Sequence, residues 1–253
     1  MPRLLVRRPA PDLTHAELTH VDRVPVDAAL ALTQWERYVD AFRSRGWTII
    51  EVDTADAHLD GVFIEDALVV FDDLVVVCRA GAASRRGEAI TAASAARRLG
   101  LEKVAITEPG TLDGGDVLKV GRTVYVGASS RTNADGNGQL RHVLEPRGWT
   151  VVEIPVTKVL HLKSAVTALP DGTIVGYEPL VDDTSLFPSF LPVPEAPGCA
   201  VVVLDPTTVV MSADAPRTSA LLQERGLTVV TTPVTEFEKL EGCVTCLSVR
   251  LRG

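Results

Sequence analysis

A ring of five α/β units is the fold class this sequence predicts, and three observations predict it. The first is a repeat. Arg45-Gly46-Trp47-Thr48-Ile49-Ile50, Arg147-Gly148-Trp149-Thr150-Val151-Val152 and Arg225-Gly226-Leu227-Thr228-Val229-Val230 are near copies, with a looser fourth from Arg98 to Val104. Each copy follows a helix-like segment and opens a β-branched strand. A glycine just past a helix supplies the left-handed residue that ends it, and recurrence at intervals of tens of residues marks one supersecondary unit used several times. The second observation is a set of hairpins. Val69 to Val77 is two apolar runs joined by Asp72-Asp73, and Val117 to Val126 turns at Gly121-Arg122. Ala165 to Gly176 turns at Asp171-Gly172, a strong hairpin signal, and Val201 to Met211 turns near Asp205-Pro206. The third is at the ends. The strand Arg3 to Arg7 has no partner before it, and the strand Val244 to Leu251 has none after it, so the two termini are expected to pair and close the ring.

The elements follow in order. A polar loop from Ala10 to Pro25 precedes a helix starting near Ala28; such a loop covers a site in some proteins and is a plain connector in others. Each unit then reads as helix, strand and hairpin. The fourth unit's helix, around Leu186 to Leu191, is broken by prolines and is expected to be poor. An open α/β sheet with accidental similarity is the competing architecture.

The composition fits one domain spanning residues 1–253, with 46% hydrophobic and 23% charged residues. A net charge of −8 without a basic patch argues against nucleic acid and suits a cationic small molecule, although solvated acidic surface explains the charge equally well. No apolar stretch approaches the roughly 20 residues of a membrane span. The N-terminus reads as a charged-flanked strand, too short for a signal peptide. Four cysteines (Cys78, Cys199, Cys243, Cys246) do not make a disulfide scaffold, so a reduced, cytoplasmic protein is expected.

Several groups could carry chemistry. Cys243-Val244-Thr245-Cys246 lacks the further ligands a zinc site needs. It opens the last strand, where residues an odd number apart face opposite ways, so the two sulfurs are expected to point apart. One is free to be a nucleophile, or both are small buried hydrophobes. His161 interrupts the apolar run Val159 to Leu162; it is either a hydrogen-bonded core histidine or a general acid/base. Gly110-Thr111-Leu112-Asp113-Gly114-Gly115-Asp116 is a glycine-bracketed turn in which Asp113 precedes two glycines that allow close backbone approach; backbone capping accounts for Asp116. Asp60-Gly61-Val62-Phe63-Ile64-Glu65-Asp66 gathers three carboxylates and an aromatic before an apolar strand, a set that a cation would pair and a solvated turn would also explain. Arg85 and Arg131 lie just beyond hairpins in successive units, where their forks suit a carboxylate or a surface ion pair. There is no phosphate loop, dinucleotide fingerprint or Gly-x-Ser-x-Gly elbow.

Taken in order, Phe63 to Asp66, Ser84 to Glu88, Pro109 to Asp116, Arg131 to Gly136, Val159 to Lys163 and Thr245 to Val249 resemble the dimethylarginine dimethylaminohydrolases, across essentially the whole chain. That family belongs to the guanidino-group-modifying superfamily, whose fold is a five-bladed αβ propeller (the pentein fold) of ββαβ repeats around a central polar site. The resemblance implies hydrolysis of asymmetric dimethylarginine or monomethylarginine to citrulline and a methylamine. It implies Cys246 as nucleophile through a covalent thiouronium adduct, His161 as acid and then base, and Asp113 as the group that orients His161. It also implies Glu65 and Asp66 on the guanidinium, with Phe63 beside it. Arg85 and Arg131 would take the α-carboxylate. Asp60, with the carbonyls of Leu18 and Leu240, would take the α-amino group. A free thiol is mostly protonated at neutral pH; since the nearby charges are mainly acidic, Cys246 is expected to be neutral until a cationic substrate binds. No metal or organic cofactor is implied, though a thiol near a histidine could bind inhibitory zinc. Arginine deiminase, amidinotransferase and non-catalytic binding protein are the other readings within this superfamily. Whether the chain is a monomer or a homodimer is not legible.

Overall fold

A computed structural model describes residues 1–55 and 57–251. Asp56, Arg252 and Gly253, part of the expected domain 1–253, lie outside the described residues. The described chain forms five three-stranded sheets, each built the same way: an antiparallel hairpin-like pair whose second strand runs parallel to a third.

In the first blade β1 (Arg3–Val6) pairs in parallel with β2 (Thr48–Glu51) through helix α1 (Ala28–Arg43). Asp27 starts that helix: its carboxylate accepts from the amides of Ala29 (2.9 Å) and Leu30 (3.0 Å), satisfying donors that helix geometry leaves free. Ala31, Trp35, Tyr38, Val39 and Phe42 recur at helical spacing and are all buried. Phe42 meets Tyr38 tilted at 5.0 Å and Trp47 edge-on at 5.4 Å, and each such ring contributes about 1.5–3 kcal/mol by leaving water. Gly46 ends the unit at φ +79°. Gly100, Gly148 and Gly226 do the same at +74°, +78° and +86°, so all four repeats carry the left-handed residue their sequence called for.

The second blade joins β3 (Leu68–Phe71), β4 (Leu74–Val77), α2 (Glu88–Arg98) and β5 (Glu102–Ala105). The third joins β6 (Val117–Val120), β7 (Thr123–Ala128), α3 (Ala134–Leu144) and β8 (Thr150–Pro155). The fourth holds β9 (Val166–Ala168), β10 (Ile174–Gly176) and β11 (Phe190–Pro192). Here single 3-10 turns at Glu178–Leu180 and Thr184–Leu186 replace the helix. The helical segment expected over Leu186 to Leu191 is therefore corrected: that stretch runs into a strand, because its prolines cannot donate to a helix ladder. The fifth blade joins β12 (Val201–Asp205), β13 (Thr208–Ser212), α4 (Pro216–Glu224) and β14 (Thr228–Thr232), followed by the short α5 (Thr235–Glu238).

The last strand, β15 (Val249–Leu251), returns to the first blade and pairs antiparallel with β1, Leu5 opposite Val249. This is the expected union of the two termini. Inner strands β3, β6, β9, β12 and β15, one from each blade, all line a central cavity of about 650 Å³. The strand expected from Val244 is shorter than its alternating pattern suggested. Residues 244–247 form a turn, closed where the amide of Cys246 donates to the carbonyl of Cys243 at 3.1 Å.

Candidate active site

Six connections between elements converge on one enclosed cleft of only about 10 Å³ free volume. It is lined by Asp60, Phe63 and Asp66 ahead of β3, by Arg85 and Arg131 after β4 and β7, by Leu160 and His161 ahead of β9, and by Leu240, Gly242 and Cys246 ahead of β15. Glu17, from the loop after β1, completes it.

His161 is buried, and its Nε2 lies 3.0 Å from Asp113 Oδ2. Asp113 is fully buried, and its Oδ1 accepts from the Gly81 amide at 2.9 Å. On the other side of the ring, His161 Nδ1 stands 3.8 Å from Asp66 Oδ1. Burial works against a charged imidazole, but Asp66, Asp113 and Asp116 outweigh it and raise its pKa to about 9. Asp66 itself is held below the usual carboxylate range, because the charges of His161, Arg85 and Lys163 overcome its burial. Gly115 makes this packing possible. A Cβ there would sit 2.6 Å from His161 Nδ1 and 2.7 Å from Asp66 Oδ1, and the Gly115 amide donates to Asp66 at 3.0 Å. Asp116 points away and braces the site: it accepts from Ser129 and Thr132 (both 2.6 Å) and from the Leu162 amide (2.9 Å).

The sulfur of Cys246 lies 3.4 Å from that of Cys243, which in turn lies 3.2 Å from Thr245 Oγ1. The expectation that the two sulfurs diverge is overturned, since it assumed a strand where the chain turns. The hydrogen bond with Cys243, burial, and the carboxylates of Glu65 and Asp66 hold the Cys246 thiol well above its ordinary value. Ligand atoms of Asp66, Asp113 and His161 all lie within 4.8 Å of one another, a spacing open to a metal ion. His161 Nε2 and both Asp113 oxygens, however, already have hydrogen-bond partners.

The remaining expected residues divide. Asp60, Phe63, Asp66, Arg131 and Leu240 reach the cleft, with Phe63 edge-on to Phe237 at 6.3 Å. Arg85 reaches it too, but its fork is engaged. Nε and Nη2 bind Glu88 at 2.9 and 2.8 Å, and Nη1 binds Asp66 at 2.8 Å, so Arg85 braces the acid. Glu65 is absent from the cleft. Its Oε1 binds Lys163 (2.6 Å) and Arg250 (2.9 Å) and it lines the central cavity, while its buried Oε2 has no hydrogen-bond partner. Leu18 is likewise not among the lining residues; its side chain packs on the core under α1. Its neighbours make hydrogen bonds at this end. Glu17 and Thr19 accept from Arg131 Nη2 at 3.0 and 2.8 Å, while the buried Arg131 Nη1 has no partner. The Glu17 amide donates to Asp60 at 3.1 Å, and Glu241 accepts from the amides of Thr19 (2.9 Å) and His20. Glu17 and Glu88 are the residues to which the sequence assigned no role, and Cys243 was marked only as one of two cysteines free to be a nucleophile. Only the polar character of the Ala10 to Pro25 loop and the Cys-x-x-Cys spacing pointed their way.

A dimethylarginine dimethylaminohydrolase of Streptomyces coelicolor is 56% identical over 250 residues, which are 99% of this chain and 97% of the relative. The chain belongs to the dimethylarginine dimethylaminohydrolase family. The enzyme of that name from Pseudomonas aeruginosa is 31% identical, with 98% of each chain covered. A solved dimethylarginine dimethylaminohydrolase of that organism, a cysteine-to-serine mutant complexed with citrulline, superposes with a TM-score of 0.91 at 29% identity over 98% of both chains. No family model matches the chain. The five-bladed fold is thus the fold of the dimethylarginine dimethylaminohydrolases.

Proposed function

We propose that this chain hydrolyses Nω-methylated arginine to citrulline and a methylamine. The single observation that carries the reading is the enclosed cleft in which Cys246, Asp66 and an imidazole, His161, paired behind it with Asp113, line one small space. Membership of a family whose relatives bear this activity in their names, one of them complexed with citrulline, supports it.

In this reading Asp66, fixed by Arg85 and the Gly115 amide, pairs with the substrate guanidinium. The α-carboxylate takes the free Nη1 of Arg131, and Asp60 and the carbonyl of Leu240 take the α-amino group. The arriving cation stabilises a thiolate that burial and the surrounding acids otherwise disfavour. Cys246 Sγ then attacks the guanidinium carbon, and His161, protonated at neutral pH, gives its proton to the departing methylamine. The neutral imidazole next takes a proton from water, which attacks the thiouronium carbon. Citrulline leaves and the thiol is restored. Asp113 keeps the imidazole oriented, as the third member of a triad does. The paired charges and thiols of the site need no organic cofactor for these steps.

Four free cysteines, three of them buried, fit a reducing compartment, and we place the protein in the cytoplasm. No helix among the described residues is long and apolar enough to cross a membrane.

The test is citrulline release from asymmetric dimethylarginine and from arginine, side by side. Faster turnover of the methylated substrate is expected. Equal or faster turnover of arginine would move the chain to the deiminase reading, and no citrulline from either would remove the hydrolase reading.

A further inference from the structure

Cys243 has no task in the reaction above, yet its sulfur lies 3.4 Å from that of Cys246. The turn that brings them together is closed by the Cys246 amide on the Cys243 carbonyl. A hydrogen-bonded four-residue turn keeps its first and last Cα atoms within about 7 Å, and a disulfide spans Cα separations of about 4.4–6.8 Å. The sulfurs need close only to about 2.05 Å, a movement that side-chain rotation supplies. Neither sulfur is tied to a stronger partner: Cys243 otherwise touches Thr245 Oγ1 at 3.2 Å and the Lys163 carbonyl at 4.0 Å. Cys246 faces the substrate cleft and Cys243 is half-buried, so a small oxidant reaches the pair by the route a substrate takes. Cys78 and Cys199 are both buried, and the Cys199 thiol donates to the Ser164 carbonyl at 3.2 Å.

We propose that Cys243 and Cys246 form a reversible disulfide under peroxide, a modification site that shields the sulfur at position 246 from overoxidation and stops turnover while it lasts. The first sulfur to ionise attacks the peroxide O–O bond, giving a sulfenic acid and hydroxide. The neighbouring thiol attacks the sulfenic sulfur, the S–S bond forms, and the sulfenic oxygen leaves as water with that thiol's proton, while the proton freed by the first thiol turns the hydroxide into the second water. In sum two thiols and one hydrogen peroxide give one disulfide and two waters; the sulfurs are oxidised and the peroxide reduced. A dithiol reductant reverses the bond by exchange. The thiol chemistry stands by itself, and only the loss of turnover rests on the function proposed above.

The experiment is peroxide titration of the whole chain, read by intact mass and by mapping of the tryptic peptide Leu240–Arg250, which holds both cysteines and no other. The expected product is lighter by two hydrogens, carries the link within that peptide, and regains its thiols on treatment with dithiothreitol. Activity, scaled to each sample's own untreated value, should fall and return in step. Cys243→Ser and Cys243→Ala should instead gain oxygen atoms at Cys246, with no recovery beyond the sulfenic stage. A wild-type product that gains oxygen without losing hydrogens, or a Cys243 variant that is inactivated and restored like the wild type, overturns the proposal. Because the mass readout needs no catalysis, a chain that forms the link but makes no citrulline overturns the function alone.

Discussion

His161 owes its charge to three acids at once, and this sets a pH signature. Its folded pKa of about 9 lies above the ordinary value of 6.5. The charged form therefore stabilises the fold fully below pH 6.5, and that contribution fades as pH rises through 9. NMR titration of the imidazole should show a midpoint near 9 in the free protein, and the melting-temperature gap between wild type and His161→Gln should narrow over that window. A midpoint near 6.5 would contradict the acid cluster. Beside it, Gly115→Ala places a methyl 2.6 Å from His161 Nδ1. Displacing a catalytic imidazole by an ångström costs about 100-fold in rate, so kcat should fall by that order while the far-ultraviolet spectrum stays native. Glu65 answers to a different demand. It neutralises Lys163 and Arg250 beside the central cavity, and Glu65→Gln leaves the buried Lys163 and the half-buried Arg250 without their carboxylate. Breaking such a pair costs about 3–5 kcal/mol, so the urea midpoint should drop sharply.

Among the elements, the loop from Ala10 to Pro25 turns out to be a fitted part of the site. Glu17 places a carboxylate on Arg131, the group proposed to receive the substrate's own carboxylate. The two compete, and Glu17→Gln removes the competitor. The Glu17 side chain is 40% exposed, so screening keeps the effect small: KM should fall about two- to fivefold with kcat little changed. A rise in KM would show that Glu17 assists binding. Legibility in the sequence followed the same division between local and long-range forces. The repeated glycines and the Asp171-Gly172 turn were readable because φ > 0 is a local demand that few residues meet. His161 stood out inside an apolar run, Asp66 in a set of carboxylates ahead of an apolar strand, where charge must be paired, and Asp113 in a glycine-bracketed turn. The partners that claim Arg85 and Glu65 were not readable, since Lys163 and Arg250 meet Glu65 only through ring closure. Nor was the turn at Cys243, where Val244-Thr245-Cys246-Leu247 alternates like a strand. Chain reversal into the cleft overrides that local preference, and β15 starts only at Val249.

For the whole molecule, the pairing of β1 with β15 carries both architecture and chemistry, because it delivers Cys246 from the far end of the chain to blades made much earlier. Leu5, buried opposite Val249, sits in that seam. Leu5→Ala should cost about 2–5 kcal/mol, seen as a lower urea midpoint, with turnover per folded molecule unchanged. Activity lost well before the fold would mean that the seam opens independently of the ring. The central claim is that the ring presents the Cys246 sulfur to a guanidine carbon held beside His161. Acid quenching during turnover of dimethylarginine, followed by peptide mapping, tests this directly. The account predicts a thiouronium adduct on Cys246 that is absent from Cys246→Ser, together with loss of citrulline formation in that variant. Full citrulline formation by Cys246→Ser, or an adduct on any other residue, would contradict it.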